Sequence, residues 1–475
     1  MSIKHIAKGT ALIGFINVVR ILIQLFSVPV LARFLSPVDY GLAAMTMPII
    51  LFVMMLADAG LGTSLVRTAK TDATAWHTCF WLSVGLGTVC AFVIILLSPA
   101  VGYIFNEPRL TSLTLALAVI IPLQTITLVP GAALQQQGRF GVIASTEIAA
   151  ICASIGAALV CAIAGLGVWA LIWQQVVLYA VRFTFTLTRS TFRPRLIFDL
   201  HDAWGHVIFG RNLLGVTLIS SASRSLENLA IGKIYGPGPV GIYSMAFQFA
   251  RLPSMLVTGP LQYVLYPYVA AIREDKAKLT ALFLLLTRVL AIGCLPAMGL
   301  VAIASEPIFH LLLSKKWAEA APIFVLIAPA AALQPVTGIL GTFLMALGRT
   351  DVQMRLALQF AAVWLVGLML SVWFGIEAVA AAYSGCALLF SFWSMRVILP
   401  LLDCSFAVYA RVFLWPMTLT ASAVLVYRVV SVAAPDREVI NVCLAFTLAL
   451  ITSAIALAAQ RRDLATALSF SSAVE

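Results

Sequence analysis

Charge is what this chain has least of. Asp, Glu, Lys and Arg make up 10% of its 475 residues, against about 25% in soluble domains. Apolar residues make up 62% and the mean hydropathy is +1.04, so a water-soluble fold has too little polar surface to cover its interior. Cysteine is sparse and unpatterned. The eight cysteines include no CxxC pair and fall almost entirely in apolar runs, which reads as small core residues and gives no metal or redox motif. Five scattered histidines supply no ligand spacing either. The phosphate-binding pattern GxxxxGK[ST] is absent, which excludes direct ATP use through that loop. No extramembrane segment is long enough to house a Ser/His/Asp or paired-carboxylate constellation, which argues against an enzyme. Short alternating strands are also missing, which excludes a transmembrane barrel.

What is present is a series of apolar runs of about 20 residues, the length a helix needs to cross a ~30 Å hydrocarbon core. We count about fourteen, from 11–32 to 438–459. A bilayer forces each span to satisfy its own backbone, so an all-α polytopic membrane protein is expected. The opening "MSIKHIAKGT" is basic, but the run after it (Ala11 to Leu31) is too long for a signal-peptide core. It is expected to be a retained first span.

Orientation follows from Lys and Arg. If the N-terminus is cytoplasmic, nineteen of the thirty lie on that side, seven opposite and four within spans. The excess puts both termini in the cytoplasm. The net charge of +11 then reflects topology and anionic lipid heads, and no nucleic acid is expected as a partner.

Two stretches resemble each other at an offset of 200 residues. "VLARFLSPVDYGLAAM" (Val30 to Met45) and "AIGKIYGPGPVGIYSM" (Ala230 to Met245) pair Arg33 with Lys233, Pro37 with Pro237, Gly41 with Gly241, Leu42 with Ile242 and Met45 with Met245. Six spans separate them, so both copies enter the membrane in the same direction. Parallel repeats predict two facing bundles around a midplane cavity that rock to give alternating access. The expected organisation is a six-helix lobe over 1–188, a cytoplasmic linker over 189–206, a second six-helix lobe over 207–403, and two further spans with a cytoplasmic tail over 404–475.

"LARFLSPVDYG" followed by "ADAGLGTSLVR" (Ala57 to Arg67) resembles the opening of Wzx-type polysaccharide flippases of the multidrug/oligosaccharidyl-lipid/polysaccharide exporter superfamily. "LLLSKKWAEAAPIF" (Leu311 to Phe324) resembles that family's Lys-Trp-x-x-Ala-x-Pro segment after the ninth span, and "MALGRTD" (Met345 to Asp351) its turn after the tenth. The resemblance implies a bacterial inner-membrane protein moving an isoprenoid (undecaprenyl) diphosphate-linked oligosaccharide to the periplasmic leaflet. It implies that spans 1, 2, 7 and 8 lie near the cavity and that the last two spans are appended. The alternatives it leaves open are a cation-coupled drug exporter, a lipid II flippase and, from another class, a membrane-embedded glycan polymerase or ligase.

Charges inside spans are costly and usually face a cavity or a partner. Arg20, Arg224, Arg251 and Arg288 are the candidate diphosphate-binding cations, since guanidinium grips phosphate oxygens in pairs and stays charged when desolvated. Arg224 could instead be neutralised by Glu227 one turn away, and Arg288 could pair with an acid or snorkel. Asn17, Gln24, Asn228 and Gln248 offer amides to sugar, or equally bind helix to helix. Asp58, Glu147 and Glu227 are the candidates for proton or sodium coupling; no other cofactor is expected. The partners implied are the lipid-linked oligosaccharide, membrane lipids, and polysaccharide polymerase or export proteins.

Overall fold

The computed structural model describes residues 20, 21, 23–58, 60–67, 73–199, 204, 226–433 and 438–459. Every regular element among them is helical, and eleven helices are long and apolar enough to cross a membrane. This is an all-α membrane protein. It packs as two compact units, Met1–Ser244 and Met245–Glu475.

The first unit contains α1 (Ile23–Phe34), α2 (Pro37–Asp58), α3 (Leu61–Arg67), α4 (Ala73–Ile104), α5 (Arg109–Ala118), α6 (Ile120–Gln136), α7 (Phe140–Ile163) and α8 (Trp169–Arg189). After residues outside the description come α9, residues 226–235, and α10 (Pro237–Ala250), within which the division falls. The second apolar run begins its helix at Pro37 and breaks at Gly60, whose φ of 65° only glycine adopts cheaply. The apolar run after Arg109 is built from two helices, α5 and α6, that meet at Val119. The core of this unit includes Leu61, Leu65, Phe80 and Val129.

Past Ser244 the chain continues through a π-helical turn (Ser254–Thr258), α11 (Gly259–Ala271), α12 (Lys276–Ile303), α13 (Ser305–Leu312), α14 (Ala320–Ala346), α15 (Thr350–Ser371), α16 (Ile376–Ile398), α17 (Phe406–Ala433) and α18 (Glu438–Ala459). Asp275 caps α12 by accepting the Lys278 N–H at 3.0 Å. That bond to the charged form holds the carboxyl below its ordinary range, so the cap contributes fully above that range and its contribution is lost as the pH falls from there through the carboxyl's own, lower value. In this unit α14 is the inner helix, with 61% of its apolar window buried against 17% for α18. Phe283 on α12 sits edge-on to Phe343 of α14 and stacks on Tyr409 of α17. On the outer helices Met369, Leu370, Leu389 and Leu450 stay exposed, as lipid-facing positions do.

Candidate functional site

The two repeated stretches fold alike and meet. In the first, α1 gives way to Ser36 and Pro37 opens α2. Asp39 accepts from the Ser36 N–H at 2.9 Å and its hydroxyl at 2.6 Å, and proline costs nothing at a first helical position because its missing N–H would be unpaired anyway. In the second, α9 ends at Gly236, whose φ of 79° closes the helix, and Pro237 opens α10. α2 and α10 then cross so closely that side chains are excluded. A Cβ at Gly41 would sit 1.6 Å from the carbonyl oxygen of Pro237, and one at Gly241 would sit 1.8 Å from that of Pro37. The contact is reciprocal, as a local two-fold axis between repeats requires.

Residues around the crossing hold it. Asn228 donates its amide to the Ala44 carbonyl at 3.4 Å and accepts from the Ser244 hydroxyl at 3.4 Å, so this candidate sugar ligand here joins helix to helix. Gly232 packs on the Met45 side chain. Lys233 donates to the carbonyl of Ile104 at the end of α4, where a helix terminus favours a cation. Beside it Arg109 grips Glu107 through two hydrogen bonds of 2.8 and 2.9 Å and holds that carboxyl below its ordinary range.

The intramembrane charges divide into engaged and unengaged groups. Arg20 is half-buried, one turn before α1, and its Nε is enclosed without a hydrogen-bond partner among the described residues. Arg251 is half-buried just past α10, where Pro253 and the π-helical turn interrupt the helix. It lies over the Phe247 ring at 4.7 Å and makes no ion pair among the described residues. Arg20 precedes its turn at Phe34 by fourteen residues and Arg251 follows Pro237 by fourteen. Arg288 on α12 is half-buried and Glu227 is buried on α9. Asp58 ends α2 with its Oδ1 enclosed and unpartnered among the described residues. Gln24 and Gln248 are exposed. Asn17 and Arg224 lie outside the described residues.

Glu147 on α7 accepts from Arg182 on α8 at 2.7 Å, a pair 35 residues apart that polar residues on neighbouring spans could have suggested. Glu147→Gln is expected to cost about 1–3 kcal/mol, since it leaves a half-buried guanidinium without its carboxylate. Replacing both by leucine should recover most of the loss. Thermal unfolding of the purified variants measures each.

Residues 190–199, within the expected cytoplasmic linker, pack against α4. Phe192 lies against Trp76, His77 and Phe80. Trp81 Nε1 donates to the Arg195 carbonyl at 2.8 Å, and the Arg195 N–H donates to His77 Nδ1 at 3.2 Å. Arg193 and Arg139 cap the end of α8 by donating to the carbonyls of Ser190 and Arg189.

A profile described as polysaccharide biosynthesis protein matches residues 30–322, more than half of the chain. The chain belongs to this family. It is a family of Wzx-type flippases in the multidrug/oligosaccharidyl-lipid/polysaccharide exporter superfamily, transporters and not enzymes. The lipopolysaccharide biosynthesis protein WzxC of Escherichia coli (strain K12) is 29% identical over 349 residues, 71% of this chain and 69% of that protein. The succinoglycan biosynthesis transport protein ExoT of Rhizobium meliloti (strain 1021) is 27% identical over 64% of this chain and 62% of its own length. Among solved structures, the lipid II flippase MurJ in an inward closed conformation superposes with a TM-score of 0.73 at 13% identity, over 96% of this chain and 99% of MurJ. An inward-facing multidrug transporter of the same superfamily gives 0.61 at 13% identity, over 82% of this chain and 99% of its own. At such identities the likeness is one of fold.

Proposed function

We propose that this chain is a flippase of the bacterial inner membrane that carries an isoprenoid (undecaprenyl) diphosphate-linked oligosaccharide from the cytoplasmic to the periplasmic leaflet by alternating access. Family membership supports the substrate class, and the observation that carries the chemistry is the pair of arginines, Arg20 and Arg251. Each lies fourteen residues from its turn and is not spent on a carboxylate among the described residues. Such cations match a diphosphate, whereas a cationic drug would call for acids. Arg224 and Arg288 extend the cationic lining in this reading, with Asn17, Gln24 and Gln248 offering amides to sugar. Both termini face the cytoplasm, so the crossing of Gly41 and Gly241 closes the periplasmic side. Proton or sodium coupling falls to Asp58 and Glu227, with Glu147 held by Arg182. A polysaccharide polymerase or export protein would receive the delivered repeat unit.

Deleting the gene in its host tests this. Lipid-linked repeat units should accumulate at the cytoplasmic leaflet while surface polymer disappears. Polymer left as single repeat units on the periplasmic side would indicate a polymerase, arrested cell-wall growth a lipid II flippase, and drug sensitivity alone an exporter.

A further inference from the structure

The second unit contains a cavity of about 290 Å³ between α14, α15 and α16, just below the roughly 300–1,000 Å³ typical of ligand pockets. No charged residue lines it. Gln334 and Thr337 enter from α14, Gln353 from α15, and Tyr383, Ser391 and Ser394 from α16. Two aromatic rings, Phe360 and Phe390, complete one wall with centroids 5.2 Å apart. Such a lining repels a phosphate, which would lose its water shell with no cation to replace it.

The hydrogen-bonding capacity is more specific. The Thr337, Ser391 and Ser394 hydroxyls already donate within their helices, to the carbonyls of Gln334, Ala387 and Ser391 at 3.1, 2.7 and 2.9 Å, and keep lone pairs with which to accept. The Gln334 and Gln353 side-chain amides have no hydrogen-bond partner among the described residues, and each offers two donors and an acceptor. Gly341 leaves room for one of them, since a Cβ there would lie 3.1 Å from the Gln353 Nε2. Unspent amides, accepting hydroxyls and apolar ring faces together suit a ligand whose hydroxyls both donate and accept and whose C–H faces are apolar. A neutral sugar ring is such a ligand.

A chain of ring contacts links the cavity to the diphosphate candidate. Arg251 lies over Phe247, Phe247 meets Tyr383 edge-on at 4.8 Å, and Tyr383 is part of the cavity wall. A guanidinium and a neutral hydroxyl-binding pocket separated by two rings match the order of groups in a sugar diphosphate.

We propose that the α14–α15–α16 cavity is a neutral-sugar subsite that holds one or two rings of the passenger while Arg251 holds its diphosphate. The proposal rests on the flippase reading for the identity of the passenger, although sugar binding can be measured without it. The full-length protein, in nanodiscs and purified without sugar detergents, would be exposed to a diazirine alkyl glucoside and to the same alkyl diazirine carrying phosphocholine. The glucoside is expected to label peptides within residues 320–398, and Gln334→Leu/Gln353→Leu should reduce that labelling about tenfold, the loss of one or two hydrogen bonds. Gln353→Met, which nearly preserves volume, should reduce it severalfold and guards against misfolding of the double variant. In cells the double variant should lower polymer output by a similar factor. Equal labelling by the phosphocholine probe, or wild-type labelling of both variants, would overturn the subsite. Lost labelling with undiminished polymer would assign the cavity to a resident glycolipid and overturn its role in transport. If Arg20→Ala still abolished polymer in any of these cases, the flippase reading would stand without the subsite.

Discussion

Gly41→Leu and Gly241→Leu are each expected to cut polymer output at least tenfold while the protein remains at normal level in the membrane. The physical reason is distance. A Cβ at either position would lie within 2 Å of a carbonyl oxygen on the other helix, whereas favourable contact needs about 3.5 Å or more. The obstacle is backbone, so no rotamer change relieves it, and the helices must separate. In an alternating-access cycle that bars the state in which α2 and α10 cross. A cysteine pair reads the same event directly. A Cβ at residue 238 would lie 3.8 Å from Cγ2 of Val38, so Val38→Cys/Gly238→Cys is within reach of a disulfide. Oxidation should form it and stop transport, and Gly41→Leu should suppress its formation. Complete cross-linking with transport unimpaired would mean that the crossing is static and gates nothing.

Arg20→Ala and Arg251→Ala carry the other large expectation. On the proposed reading each removes a charge-assisted grip of about 1.5–3 kcal/mol, or roughly 10- to 150-fold in affinity for an anionic headgroup. Surface polymer should fall at least tenfold in each single variant, with lipid-linked repeat units accumulating and the protein level unchanged. Arg→Lys at either site should be intermediate, since it keeps the charge and loses the two-pronged geometry. Normal polymer in both alanine variants and in their combination would remove the cationic binding mechanism altogether.

The repeat shows where sequence reasoning carried and where it stopped. Pro37 with Pro237 and Gly41 with Gly241 could be paired by offset alone, and both glycines fall at equivalent positions of their helices. That the two copies touch each other is a contact across 200 residues, which no local pattern encodes. Asn228 illustrates the same limit. Its amide inside an apolar span could serve sugar or a neighbouring helix, and only the fold brings the Ala44 carbonyl and Ser244 hydroxyl beside it. Glu147 stood out as a bare acid until α8 brought Arg182 to 2.7 Å. Gln334 and Gln353 drew no attention at all, since an amide in a span is common and only the packing of three helices puts both into one cavity.

The sequence by itself determined that this chain lives in a bilayer, as helices, with an internal repeat, because hydropathy and span length are sums over neighbouring residues, the repeat is read by offset, and none of these needs a fold to be evaluated. Tertiary structure alone decided which polar groups are spent and which are kept free. Whether a buried arginine or glutamine meets a partner depends on side chains brought in from distant helices, and a few ångströms separate a neutralised charge from an available one.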